Sequence, residues 1–236
     1  MVRPAGALAW TGAAVFAASL GYFLYSYFVV FGRGVGGGDW LAPVIANALL
    51  FSVFALHHSL LARTPMREFV RRHLPPHLER TLYTWTASLL FIAVCALWRP
   101  VPGIVYAATG ARWWPGAAVQ AAGVAITFRG SAAIDVLDLA GVRQVRTAGE
   151  AHSPQHAALE TTGVYGIVRH PIYLGWVLLV FGTPTMTATR LTFAAVSTLY
   201  LAIAVPWEER SLVEAFGAEY EAYRRRVRWR IVPGIY

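Results

Sequence analysis

The sequence predicts an all-α fold: a polytopic bundle of about six transmembrane helices followed by a cytoplasmic amphipathic helix. Three observations carry that expectation. Hydrophobic residues fill 57% of the 236 positions and charged residues only 14%, with a mean hydropathy of +0.49, a balance too apolar for an ordinary soluble domain. Several windows reach the roughly 20 consecutive apolar residues that a bilayer core of about 30 Å demands. The cations sit almost entirely between those windows, where the membrane surface tolerates them.

The elements follow in order. The first span, about 5–31, comes after Arg3, and its apolar run exceeds the roughly 7 to 15 residues of a signal-peptide core, so it reads as a membrane helix. Next comes the glycine-rich stretch Gly32 to Gly38. It follows an apolar helix instead of a strand, so it reads as a loop and not as a nucleotide-binding turn. Spans at 41–62, 81–98 and 115–137 come next. Two shorter runs, 171–187 and 190–207, are separated by Gly182-Thr183-Pro184. They form either two crossings or a tight helical hairpin. Beyond them Leu212, Phe216, Tyr220 and Tyr223 recur at helical spacing, the pattern of an amphipathic helix lying on the membrane face.

All 20 basic residues are arginine. Fifteen fall in one set of alternate connections and the tail, against four (Arg33, Arg99, Arg112 and Arg190) in the other set. The positive-inside rule then places both termini in the cytoplasm, with an even number of crossings. Cations scattered over short loops do not make a nucleic-acid surface, so no nucleic-acid partner is expected. No metal is expected either. Cys95 is the sole cysteine, and the four-residue spacing of His73 and His77 is interrupted by Pro75 and Pro76, which break the helix a metal pair needs. Arg129 and Asp135 fall within the fourth span, where charges need partners or water; an interhelical ion pair and a cavity lining both fit.

Two clusters can carry chemistry. Arg169 and His170 stand immediately before Pro171, a residue suited to the first position of a helix. A helix N-terminus offers free N–H groups and a positive dipole to an anionic ligand group, while Tyr165 and Tyr173 offer aromatic faces to a cation or a flat ring. Interfacial anchoring explains the same residues more blandly. Glu208 and Glu209 follow the last apolar run, and carboxylates at that depth are functional candidates unless they are simply solvated.

Together these clusters read Gly-x-Tyr-x-x-Val-Arg-His-Pro-x-Tyr, an apolar hairpin, Glu-Glu-x-x-Leu, then Phe-Gly-x-x-Tyr-x-x-Tyr, running from Gly163 to Tyr223. The pattern resembles that of the isoprenylcysteine carboxyl methyltransferases and phospholipid N-methyltransferases. Further stretches, His57 to Arg63, Asp138 to Val145 and Tyr173 to Thr187, are most similar to the bacterial methanethiol S-methyltransferases and their denitrification-protein relatives.

The resemblance implies a single membrane domain over 1–236, with N-terminal helices in 1–114 and a cofactor-binding core in 115–236, in a bacterial inner membrane. It implies S-adenosylmethionine as methyl donor and S-adenosylhomocysteine as product. Tyr165, Val168, Arg169, His170, Tyr173 and Leu174 would line the cofactor pocket, and Glu208 and Glu209 would hold its amino-acid end. The acceptor would be a small thiol such as methanethiol, or else a lipid-tailed isoprenylcysteine or phospholipid, with membrane lipid around the bundle. A thiol reacts as its thiolate; His58, Arg143, Gln144 and Arg169 are the residues that could favour deprotonation. An NADPH-dependent sterol-type reductase carries a similar Arg-His-Pro motif, but a carboxylate pair suits an ammonium far better than a 2′-phosphate.

Overall fold

A computed structural model of the chain describes residues 4–61, 72–73, 75–132, 142–146 and 159–236. It divides into two compact units.

The N-terminal unit is built on three long apolar helices: α1 (Pro4–Tyr25), extended by a π-helical turn at Ser26–Val30; α2 (Leu41–Leu61); and α3 (Pro76–Leu97). Their starts and stops are local. Asp39 accepts the backbone N–H of Leu41 at 2.9 Å, satisfying a donor that the first turn of α2 cannot pair internally. Pro76 opens α3, five residues earlier than hydropathy suggests, because the first turns (His77-Leu78-Glu79-Arg80) are helical but polar. Helices α1 and α3 approach closely. A Cβ at Gly12 would lie 2.9 Å from the Trp85 ring, whose Nε1 donates to the Leu8 carbonyl at 3.0 Å. Phe91 joins the helices through rings of Phe23 at 5.5 Å and Phe54 at 5.3 Å. Asn47, wholly buried, exchanges two 2.8 Å hydrogen bonds with the Arg99 backbone. A short helix, α4 (Val142–Arg146), packs on α1 and α3, with Val142 buried against Ala9.

The C-terminal unit contains α5 (Trp113–Ser131), α6 (Pro171–Phe181), α7 (Ala188–Phe216) and α8 (Ala218–Arg226). Helices α5 and α6 meet almost backbone to backbone. A Cβ at Gly123 would fall 2.6 Å from the Gly175 carbonyl oxygen and 2.7 Å from the Leu179 nitrogen, and Gly116 and Gly130 face α6 or its C-terminal turn in the same way. Spacing of seven keeps these glycines on one stripe, and small residues let helices in lipid gain dispersion contact where water supplies no driving force. Gln120, buried in the same seam, donates to the Leu179 carbonyl at 2.9 Å. Gly123→Val is therefore expected to destabilise the protein by about 2 kcal/mol or more, read as a lowered melting temperature in detergent; an unchanged melt would refute the close seam.

A short antiparallel ribbon, β1 (Ile104–Ala107) with β2 (Thr185–Thr187), departs from the all-helical expectation. Residues 182–187, read from sequence as the end of a span, leave the helix at Gly182, and Thr185–Thr187 pair with β1. Arg190, buried, fixes this corner by donating to Thr183 Oγ1 at 3.1 Å and to the Thr185 carbonyl at 2.6 Å. The last apolar run likewise differs from its expected end at 207. Helix α7 continues for 29 residues through Pro206 to Phe216, and Gly217, with φ of +54°, turns the chain into α8, so the tail read as one amphipathic helix is divided between α7 and α8.

Among the described residues, four helices are long and apolar enough to cross a membrane: Pro4–Val30, Leu41–Leu60, Leu78–Leu97 and Ala188–Phe216; α6 is a shorter apolar helix. Large apolar side chains point outward along several of the helices, including Leu49 at 65% and Leu199 at 62% exposure. Outward-facing apolar side chains on this scale are unfavourable in water and appropriate to lipid. The protein is an integral membrane protein. Asp135 and Asp138 lie outside the described residues, so the proposed partner of Arg129 does too.

Candidate functional site

The site is assembled by the segment that leads into α6. Gly163, at φ +56°, begins a 3₁₀ turn through Gly166. Tyr165 hangs from that turn and donates from its hydroxyl to the Gly130 carbonyl at 3.1 Å, while its own carbonyl accepts the Tyr223 hydroxyl at 2.8 Å. Burial raises the phenol pKa values of Tyr165, Tyr220 and Tyr223, that of Tyr220 to about 12, with the charge of Glu209 adding to it. All three therefore remain hydroxyl donors at neutral pH. Val168 is wholly buried and anchors the next two residues.

Arg169 and His170 are extended into α6 by strand-like pairing with the C-terminal tail: the Arg169 N–H donates to the Trp229 carbonyl at 2.9 Å and the His170 N–H to the Arg230 carbonyl at 2.8 Å. Pro171 then starts the helix at its first position, where its missing N–H costs nothing. The buried Arg169 side chain donates from Nε to Glu209 Oε1 at 2.6 Å and from Nη1 to the carbonyls of Val227 at 2.7 Å and Arg228 at 3.0 Å. It binds three distant parts of the chain together.

The two glutamates differ. Glu209 is buried, with Arg169 on one oxygen and Arg230 Nε 3.3 Å from the other. The Glu208 side chain is 43% exposed and accepts the Tyr173 hydroxyl at 2.8 Å. Between them stands the His170 imidazole, Nδ1 3.6 Å from Glu208 and Nε2 3.5 Å from Glu209, both at the outer limit of hydrogen bonding. The Tyr173 ring stacks on it at 5.3 Å and 6°. Among the described residues the Tyr220 hydroxyl is buried without a hydrogen-bond partner and His170 Nε2 has only the long approach of Glu209, which in a folded protein points to a water or a ligand group.

Six of the sequence-derived candidates thus converge in the C-terminal unit: Tyr165, Arg169, His170, Tyr173, Glu208 and Glu209, with Val168 beneath them. Leu174 follows in the first turn of α6, its N–H donating to the His170 carbonyl at 3.1 Å. His58 and Arg143 belong to the N-terminal unit. There His58 Nδ1 lies 2.8 Å from the Tyr83 hydroxyl with Phe54 stacked on the ring, and Arg143 is exposed on α4. The Gln144 side chain lies outside the described residues. Arg230, Tyr220 and Tyr236 were not among the candidates. The unpaired carbonyl that Pro206 leaves at Ala202 was the available signal for Tyr236, whose hydroxyl donates to it at 3.1 Å.

Comparison with known proteins identifies the family. The phospholipid methyltransferase family profile matches residues 118–219, a range holding the Arg-His-Pro segment and both glutamates. The chain is 38% identical to methanethiol S-methyltransferase 2 of Bradyrhizobium diazoefficiens, over 78% of this chain and 71% of the relative. It is 33% identical to methanethiol S-methyltransferase of Mycobacterium tuberculosis, over 85% and 89% of the two chains, and 31% identical to that of a Pseudomonas species, over 85% and 81%. No solved structure matches the chain. Relatedness of this extent makes the chain a member of the phospholipid methyltransferase family and an integral membrane methyltransferase.

Proposed function

We propose that the protein transfers a methyl group from S-adenosylmethionine to a small thiol such as methanethiol, releasing dimethyl sulfide and S-adenosylhomocysteine. The observation that carries this reading is the accessible Glu208 carboxylate beside the stacked pair of His170 and Tyr173. The names of the relatives supply the acceptor.

The residues present suit such a donor. Its ammonium asks for a carboxylate, its flat adenine for an aromatic or apolar wall, and its remaining polar atoms for partners such as the Tyr220 hydroxyl and the weakly engaged His170 Nε2. When bound, the cofactor supplies an electrophilic methyl group on a sulfonium. Glu208 is the residue suited to hold the ammonium, because Glu209 is already engaged by two arginines. Arg169 is suited to bracing, with its Nε and Nη1 donors given to protein acceptors and its side chain out of solvent. Tyr173 orients Glu208 through its hydroxyl and covers His170 with its ring. Alignment and exclusion of water do the remaining work in a transfer between two sulfur atoms, during which the thiol proton leaves to a base and the new carbon–sulfur bond forms as the old one breaks.

The same reading keeps about six spans, with α5 as a further crossing and the short α6 joined to α7 either as two crossings or as a tight hairpin, both termini in the cytoplasm of a bacterial inner membrane, and residues 115–236 as the cofactor core. Calorimetric titration of the detergent-purified protein with S-adenosylhomocysteine is expected to give micromolar binding, and headspace chromatography is expected to detect dimethyl sulfide from methanethiol. Folded protein that binds NADPH but not S-adenosylhomocysteine would overturn the reading. Turnover of a lipid-tailed acceptor alone would replace the thiol.

A further inference from the structure

We infer that Arg230 is the residue that receives the carboxylate of the cofactor's amino-acid end, a role that rests on the methyltransferase reading and extends it to a residue outside the Arg-His-Pro and Glu-Glu motifs.

The argument begins with donors. A guanidinium has five N–H groups. Those of Arg169 at Nε and Nη1 go to Glu209 and to two backbone carbonyls, and the side chain is only 6% exposed. Its Nη2 makes no hydrogen bond among the described residues, but it belongs to a side chain almost closed off from solvent. Arg230 stands on the other oxygen of the same Glu209, but 31% of its side chain is exposed. Its Nε faces Glu209 at 3.3 Å and its Nη1 donates to the Tyr236 hydroxyl at 3.1 Å. Among the described residues its Nη2 makes no hydrogen bond.

Charge leads to the same residue. Two guanidiniums share one buried carboxylate, which leaves a positive charge uncompensated at the more exposed of the two, Arg230. Glu208 carries a negative charge with the neutral Tyr173 hydroxyl at 2.8 Å and the His170 ring at 3.6 Å. One accessible cation and one accessible anion, both linked through Glu209 and His170, are the complement of a zwitterion bearing a carboxylate and an ammonium. Arg210 and Arg228 lie against Trp207 and Trp229, and neither forms an ion pair with Glu208 or Glu209.

Arg230 is also held in place. Pro206 has no N–H to give to the Ala202 carbonyl four residues earlier, and the Tyr236 hydroxyl donates there instead at 3.1 Å. The same hydroxyl accepts Arg230 Nη1, the Tyr236 ring lies 5.1 Å beneath the guanidinium, and the Arg230 N–H donates to the Tyr236 carbonyl at 3.0 Å. A guanidinium fixed before the ligand arrives loses little freedom on binding.

The test pairs a protein change with a ligand change. Detergent-purified wild type, Arg230→Gln and Arg230→Lys are titrated calorimetrically with S-adenosylhomocysteine and with its decarboxylated analogue S-adenosylthiopropylamine. Wild type is expected to favour the carboxylate-bearing ligand by about tenfold or more, the scale of one charge-assisted bond. Arg230→Gln should weaken S-adenosylhomocysteine by a similar factor and leave the analogue unchanged, while Arg230→Lys, keeping the charge without the planar fork, should fall between and serves as the readout if the glutamine variant melts early. Equal losses on both ligands would overturn the proposal, since Arg230 would then act only through Glu209, as would a wild type indifferent to the carboxylate. Folded wild type that binds neither ligand would instead remove the S-adenosylmethionine reading beneath it.

Discussion

Replacing Arg169 by methionine is expected to cost about 3 to 5 kcal/mol of stability, the range observed when one partner of a buried ion pair is removed. The cause is what remains. Glu209 would be left in a site where its side chain is 4% exposed, with the longer contacts from Arg230 and the His170 ring to offset desolvation. The carbonyls of Val227 and Arg228 would lose their donor as well, leaving the tail held at the start of α6 by backbone hydrogen bonds alone. Thermal denaturation in detergent should show a large fall in melting temperature, or failure to accumulate in the membrane. Arg169→Met combined with Glu209→Leu should recover part of the loss, because the unpaired charge is gone. A single variant as stable as wild type would contradict the bracing role.

The second large effect is on binding and spares the fold. Glu208→Gln keeps an oxygen for the Tyr173 hydroxyl but removes the charge offered to an ammonium, a bond to a charged group worth about 1.5 to 3 kcal/mol. Partial exposure of Glu208 screens it, so the lower end applies, and S-adenosylhomocysteine should bind roughly tenfold more weakly. The melting temperature should hardly move. Glu209→Gln is expected to do the reverse, lowering stability first, which separates two adjacent residues of the same type by two measurements on the same samples. Weakened binding in Glu209→Gln at unchanged stability, with Glu208→Gln silent, would exchange the two roles.

That division between neighbours marks where the sequence stops being informative. Composition and hydropathy were enough for the membrane class and for the first three spans, since 5–31, 41–62 and 81–98 coincide with Pro4–Val30, Leu41–Leu61 and Pro76–Leu97 within a few residues, because a helix that must face lipid writes its length directly into an apolar run. The motif from Gly163 to Tyr223 likewise marked the residues that gather around His170. Only the tertiary structure decided which of them are buried and paired and which stay accessible. Burial of Glu209 depends on Arg169 and Arg230, which lie 40 and 21 residues away, and exposure of Glu208 depends on the helix turn that points its neighbour inward. The turn of 182–187 into a ribbon, the extension of α7 beyond Pro206 and the use of Tyr236 to satisfy Ala202 are choices of hydrogen-bond partner between distant segments, and local periodicity carries no record of them. An arginine next to a histidine and a proline looks the same in sequence whether its guanidinium faces a ligand or closes on a buried carboxylate; the acceptors within reach in the folded chain make that choice.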